Sequence, residues 1–302
     1  MRNKLVSYCL FTYNQEEYIE HAIAGALSQT YSPLEIIISD DCSKDSTFKV
    51  IEETLKNYKG PHTIVLNKNS RNLGLGDHVS KIFYDLAKGD YLLICAGDDI
   101  SKPNHVREAV DAIENDPIGN MVDFSGEIID ENGVFVREIE LPYQEKFNTL
   151  EDYLNLKRIE LFAPGRIVSK KMLNHFETLT KKCPTEDTVL VLRSLLLGGF
   201  TRMNKNLVSY RKHMNNISSK DGLSKLSNFA IIAQYIKDVL FLFETDILDE
   251  ETANILLKRI NLEYKIRFLT FTKRKYKIQN LTRPLLKRVY KNKFKLITNY
   301  KN

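Results

Sequence analysis

YLLICAGDDISKP, residues Tyr91 to Pro103, decides the fold of this chain. The run from Tyr91 to Ala96 is apolar, Gly89 precedes it and Gly97 follows, and two adjacent carboxylates, Asp98 and Asp99, close it. An apolar run of that length between glycines fits a strand buried on both faces, as in the middle of a parallel sheet. Acids at the carboxyl end of such a strand stand where open α/β sheets take their ligands.

Upstream, strand and helix alternate. Leu5 to Phe11 has β character, and Ile19, Ala22, Ile23, Ala26 and Leu27 recur at helical spacing until Tyr31-Ser32-Pro33. Leu34 to Ser39 is a second strand and ends on Asp40 and Asp41. Ser43, Asp45 and Ser46 offer N-caps to a helix through Val50, Ile51 and Leu55. Thr63 to Leu66 reads as a third strand, NSRNLGLGDH as a glycine-containing loop, and about Asp77 to Ala87 as the helix that returns the chain to Tyr91. Sustained through four strands, this alternation predicts a mostly parallel sheet with helices on both faces.

Downstream the pattern changes. Val106, Ala109, Val110 and Ile113 mark a helix that stops at Asn115-Asp116-Pro117. Met121 to Asp130 and Gly133 to Ile139 flank Glu131-Asn132-Gly133, which signals an antiparallel hairpin. A strand over Phe162 to Val168, a helix from about Lys170, a helix from Thr185, a strand over Arg202 to Arg211 and an all-helical region from Leu223 follow.

The chain has 302 residues, 43% of them hydrophobic and 27% charged, which describes a globular protein with a full core. Cys9, Cys42, Cys95 and Cys183 are scattered without a CxxC spacing, so a reducing cytoplasmic compartment is expected. MRNKLVSYCLFTYN is broken by Ser7 and followed by two glutamates, and reads as a first strand and not a signal peptide. Phe229 to Phe243 carries Gln234, Lys237 and Asp238 and falls short of the roughly 20 residues of a membrane span. Residues 253–302 carry a net charge of +14 and residues 1–252 a net of −9. That asymmetry marks a boundary, and with the all-helical reading from Leu223 onward the chain divides into a catalytic domain over 1–222, with halves at about 1–102 and 103–222, and a basic helical region over 223–302. Leu285, Leu286, Val289, Tyr290 and Ile297 recur near helical spacing among Lys287, Arg288, Lys291, Lys293 and Lys295. Such a helix suits an anionic membrane surface, or packs against the domain or a second subunit in a homo-oligomer. No motif for nucleic acid accompanies the charge, and none is expected as a partner.

Asp40-Asp41, Asp98-Asp99 and Glu186-Asp187 are three acidic pairs at the ends of elements. Carboxylates at a strand end can hold a hard divalent ion that shares its shell with substrate phosphates. Each pair alone can equally cap a helix or decorate a solvated loop.

Five segments appear in order: TYN at Thr12, ISDDCSKDST at Ile38, NLG at Asn72, CAGDD at Cys95 and TED at Thr185. In order and spacing they resemble family 2 glycosyltransferases of the GT-A fold, from about Lys4 to Ser218. YRKHMNNIS is similar to the YRxHxxNxS segment that closes many catalytic domains of that family. The resemblance implies a nucleotide pocket walled by Thr12, Tyr13 and Asn14, with Tyr13 near the base and Asp40 accepting the imide N–H of uracil or thymine. It implies that Asp41 supports the loop and that Arg71 reaches the base or diphosphate. Asp98 and Asp99 then resemble the DxD-type site, Asp98 toward ribose or metal and Asp99 toward Mn²⁺ or Mg²⁺. Many members read DxDD here, whereas Ala96 stands in place of the first acid.

Asp187 resembles the catalytic base, with Glu186 as its rival. His213 matches a histidine that in some members completes the metal shell; the other reading is a surface histidine in a basic loop. Phe162 to Arg166 occupies the acceptor loop, where Arg166 meets an anionic group or is an ordinary surface arginine. The implied activity is transfer of a hexosyl or N-acetylhexosaminyl group, with inversion, from a UDP-sugar or similar pyrimidine-nucleotide sugar. The acceptor is a glycan or lipid-linked glycan in surface polysaccharide assembly at the cytoplasmic face of the cell envelope. Two other readings stand beside it: a catalytically silent adaptor that binds nucleotide sugar or glycan, and a metal-dependent phosphoryl or nucleotidyl transferase. The second lacks a P-loop lysine pattern.

Overall fold

The computed structural model describes residues 3–157, 159–214, 216 and 227–276. Its chain order opens β1 (Val6–Thr12), α1 (Ile19–Leu27), β2 (Leu34–Asp40), α2 (Thr47–Leu55), β3 (Thr63–Lys68), α3 (Leu75–Ser80) and β4 (Tyr91–Ala96). These four strands pair in parallel in the order β3-β2-β1-β4. Because β2 and β3 lie on one side of β1 and β4 on the other, the strand order reverses between β1 and β4, the position at which a crevice opens above an α/β sheet.

β5 (Ile100–Ser101), α4 (His105–Asn115), β6 (Met121–Ile129), β7 (Phe135–Glu138), β8 (Glu145–Asn148), α5 (Leu150–Leu154), β9 (Arg166–Ser169), α6 (Lys170–Leu173), α7 (Asp187–Leu196) and β10 (Phe200–Arg211) follow. The sheet continues from β4 through β9, β6 and β10 to β5. β9 is antiparallel to β4 and to β6, β6 is parallel to β10, and β7 pairs antiparallel with β6 as the hairpin motif predicts. Two helices end the described chain: α8 (Asn228–Glu244) and α9 (Glu250–Tyr276).

Side chains alternate across a strand, so β1, β2 and β4 feed two cores. Tyr8, Leu10, Ile36, Ile38, Leu93 and Cys95 pack with α1 and α4, whereas Cys9, Ile37, Leu92 and Ile94 pack with residues of α6, α7, α8 and α9. Helices on both faces are thus what the sequence reading expects.

Three local readings shift. The strand expected over Phe162 to Val168 is confined to Arg166–Ser169, because Pro164 has no N–H for a ladder and Gly165 takes φ +74. The helix expected from about Asp77 begins at Leu75 and finishes as a π-helical segment, Lys81–Leu86. The α2 cap comes from Asp45, whose carboxylate accepts the Thr47 N–H at 3.0 Å. Ser46, at the cap position, makes no side-chain cap hydrogen bond.

Candidate active site

The carboxyl ends of β1, β2 and β4 form one rim, laced by backbone hydrogen bonds. Asp41 N–H donates to the Thr12 carbonyl at 3.0 Å, Asn69 N–H to the Asp40 carbonyl at 2.9 Å and Gly97 N–H to the Phe11 carbonyl at 2.8 Å. A Cβ on Gly97 would lie 2.5 Å from Gln15 Oε1 and 3.0 Å from both Ile19 Cδ1 and Thr12 Cβ. A larger residue before the acids would therefore have to displace the Gln15 side chain and press on Ile19 and Thr12.

On the β1–β2 side, Thr12 is buried and its Oγ1 has no hydrogen-bond partner among the described residues, while Tyr13 is 39% exposed. Asn14 takes φ +53, donates its N–H to Ser43 Oγ at 2.8 Å and accepts the Lys44 N–H on Oδ1 at 2.8 Å. Asp40 is buried; Oδ2 accepts the Ser43 N–H at 3.0 Å and Oδ1 accepts the Ser43 hydroxyl. Asp41 supports the following loop, accepting from Asn69 Nδ2 at 2.8 Å, Leu73 N–H at 2.9 Å and Gly74 N–H at 3.0 Å. Arg71 is exposed on that loop, and no contact among the described residues joins it to the other predicted site residues.

On the β4 side the structure brings Asp98, Asp99 and His213 together. Asp98 Oδ2 meets His213 Nε2 at 2.9 Å and Asn216 Nδ2 at 3.3 Å, and the His213 ring lies 4.7 Å from that of Tyr18. The side chain of His213 is nearly enclosed, unlike a surface histidine of a basic loop. Asp99 Oδ1 accepts the Arg211 N–H at 3.0 Å. Burial and the neighbouring Asp98 hold the Asp99 carboxyl well above the usual carboxylate range, against the pull of Arg211.

Arg211 is a residue to which the sequence reading gives no role. It is buried over Tyr18, donates Nε to the Asp98 carbonyl at 3.0 Å and Nη1 to the Glu131 carbonyl at 3.1 Å, and its Nη2 has no partner among the described residues. Its signal lay in YRKH, one strand end away from Asp99.

Among the described residues no three His, Cys, Asp or Glu side chains form a metal cage. Asp98 and His213 supply one oxygen and one nitrogen donor facing each other, with Asp99 beside them. The chemistry of this donor set would fit a divalent ion that shares its shell with phosphates and water.

Asp187 opens α7, and Arg166 brings it to the same edge. Arg166 is fully buried, and its register partner on β4 is Ile94, two residues before the strand ends. Its Nε and Nη2 hold Asp123 at 2.6 and 2.9 Å, and its Nη1 donates to the Asp187 carbonyl at 2.7 Å. Arg166 thus faces neither acceptor nor solvent, which corrects both sequence readings of it. Burial pushes both Glu186 and Asp187 up, the Asp187 charge pushes Glu186 further, and Arg166 and the contact with Glu186 pull Asp187 back. Asp123 also escaped the sequence reading; its signal was an acid between Val122 and Phe124 in the strand MVDFSGEII, where an unpaired buried charge is costly.

The model for glycosyl transferase family 2 matches residues 7–175, more than half of the chain. This chain belongs to glycosyl transferase family 2. The family member is 27% identical over 242 residues to an uncharacterised glycosyltransferase of Methanocaldococcus jannaschii, covering 79% of this chain and 81% of that one. Among solved structures it is similar to residues 1–349 of TarS from S. aureus in complex with UDP-GlcNAc. The TM-score is 0.63 at 18% identity, covering 89% of this chain and 73% of that one. It is also similar to the mannosyltransferase PcManGT from Pyrobaculum calidifontis in complex with GDP-Man and Mn²⁺, with TM-score 0.56 and 12% identity over 100% of this chain and 83% of that one. The family member is a glycosyltransferase with the GT-A fold.

Proposed function

We propose that this glycosyltransferase moves a sugar, with inversion, from a UDP-sugar or similar pyrimidine-nucleotide sugar to a glycan or lipid-linked acceptor. The observation that carries the proposal is the convergence on one rim of Asp40, the Asp98–Asp99–His213 group and the start of α7, tethered through Arg166.

In this reading Thr12, Tyr13, Asn14 and Asp40 bind the nucleoside, and Arg71 closes over it. The Asp40 oxygens each retain acceptor capacity beyond Ser43, which an imide N–H can use. Asp98, Asp99 and His213 would hold Mn²⁺ or Mg²⁺, and such an ion would supply positive charge to offset the negative charge on the departing diphosphate. Asp187 accepts the proton of the acceptor hydroxyl as its oxygen bonds to the anomeric carbon and the bond from that carbon to the phosphate oxygen breaks. A carboxylate raised by burial is a better proton acceptor for a weakly acidic hydroxyl, and Glu186 and Arg166 oppose that rise. TarS with UDP-GlcNAc supports the choice of donor class, and PcManGT with Mn²⁺ supports the ion.

The test is a panel of nucleotide sugars with Mn²⁺ or Mg²⁺, read as released nucleotide. UDP-sugars are expected to turn over, and Asp187→Asn to lower turnover by about 10²-fold or more while leaving donor binding within about twofold. Full turnover in Asp187→Asn would remove the base assignment.

A further inference from the structure

Behind the start of α7 lies a buried arginine that has a choice of carboxylates. A guanidinium presents five N–H donors and pairs most strongly with a carboxylate through two of them. Arg166 makes that paired contact with Asp123 of β6, not with Asp187, and spends one further N–H on the Asp187 backbone carbonyl. Both members of the Arg166–Asp123 pair are fully buried. Were its fork released, the nearest charged alternative would be the Asp187 side chain, and a paired arginine there would occupy the lone pairs that a base needs.

We propose that Asp123 is a positioning residue for Asp187: by holding the fork of Arg166 it pins the first turn of α7 while keeping the Asp187 carboxylate open to an acceptor hydroxyl. The inference rests on reading Asp187 as the base. The titratable and charged groups that bear on Asp187 are Glu186 from its own segment, Arg166 from β9 and Asp123 from β6. Arg202 of β10 lies in register with Asp123 and feels its charge, yet its Nε and Nη1 have no partner among the described residues. Both Asp123 oxygens are committed to Arg166, so the contact is selective. The electrostatics agree in sign: Arg166 lowers the Asp187 pKa and Asp123 raises it.

The experiment uses the full chain with ¹³C-labelled aspartate, the Asp187 carboxyl signal being assigned by its loss in Asp187→Asn. It is titrated by NMR in the wild type, in Asp123→Asn and in Asp123→Asn/Arg166→Met, beside the pH profile of nucleotide release. Asp123→Asn keeps the shape and removes the charge, so the Asp187 titration falls by about one pH unit. The acid limb of the pH profile moves with it, kcat falls roughly tenfold with donor KM unchanged, and Asp123→Glu restores most of the kcat.

The double variant removes both members of the buried pair together, which favours folding over removal of one. It shifts the Asp187 titration upward, since the larger opposing charge is gone. Identical titration in the wild type and Asp123→Asn, or shifts of the same sign in both variants, would overturn the proposal. The NMR arm reads the tether independently of turnover. If the titrations move as stated while Asp187→Asn retains full nucleotide release, the base reading fails and the positioning role falls with it.

Discussion

His105 illustrates how much one residue's surroundings decide. It is wholly enclosed; Nε2 meets the Gly165 carbonyl at 2.9 Å and Nδ1 meets Ser101 Oγ at 3.0 Å, which in turn meets the Tyr8 hydroxyl at 2.7 Å. A carbonyl only accepts, so Nε2 carries the proton, Ser101 donates to Nδ1 and Tyr8 donates to Ser101. Burial pushes the His105 pKa from 6.5 down to about 4. A lowered histidine contributes stability that is fully present above about 6.5 and is lost as pH falls through about 4, some 3 kcal/mol in all at about 1.4 kcal/mol per unit. The raised Asp99 and Glu186 carboxyls act in the opposite sense, so the informative quantity is a difference between proteins. Urea unfolding of the wild type and His105→Gln at pH 4, 5, 6 and 7 is expected to show the wild-type advantage shrinking toward acid; a flat difference would refute the assignment. At this scale the sequence showed the position of a residue in a motif, as for Asp98 after β4 and Asp187 at the start of α7, and was opaque to the partners of Arg166, Asp123 and His105. Their partners are 43 and 60 residues away, and pairing across such a distance has no local pattern.

Among the elements, α7 is held from both ends. Its start is tied to β9 by Arg166, and Arg193 in its last turn forms a buried fork with Asp238 of α8, at 2.8 Å through both Nε and Nη2. Arg193 also donates to the Tyr84 hydroxyl at 3.1 Å and the Glu177 carbonyl at 2.9 Å, and Gln234 Nε2 donates to Asp238 at 2.8 Å. Removing one partner of such a pair strands a charge, so Arg193→Met is expected to cost about 3–5 kcal/mol in denaturant unfolding. Arg193→Met/Asp238→Leu is expected to recover most of that loss; equal instability in the two would argue against the pair. Periodicity made the parallel strands and the hairpin readable, because β1, β2 and β4 are buried on both faces or nearly so. It misjudged Phe162 to Gly165, whose apolar content resembles a strand although Pro164 and the positive φ of Gly165 bar the ladder.

Across the whole molecule, one core joins the expected catalytic domain over 1–222 to the helices that follow it. Ile231, Tyr235, Val239, Leu256 and Ile260 belong to the same cluster as Ile94, Leu173 and Leu190. Deleting residues 227–302 is therefore expected to expose the α7 side of the sheet and abolish cooperative unfolding; a stable, cooperatively folding fragment 1–226 would show that the helical pair is dispensable. The basic stretch over 283–297, on which the membrane reading rests, lies outside the described residues. No helix among the described residues is long and apolar enough to cross a membrane.

The rim carries one more implication. With the end of β1 bonded to those of β2 and β4 through the Thr12 and Phe11 carbonyls, and the end of β2 to Asn69 after β3 through the Asp40 carbonyl, the floor of the proposed nucleotide site has no seam along which to part. Breathing of the cleft, and with it the escape of spent nucleotide, therefore falls to segments above the floor. The slowest step of a catalytic cycle built on this frame would be paced by loop motion and not by separation of the strands.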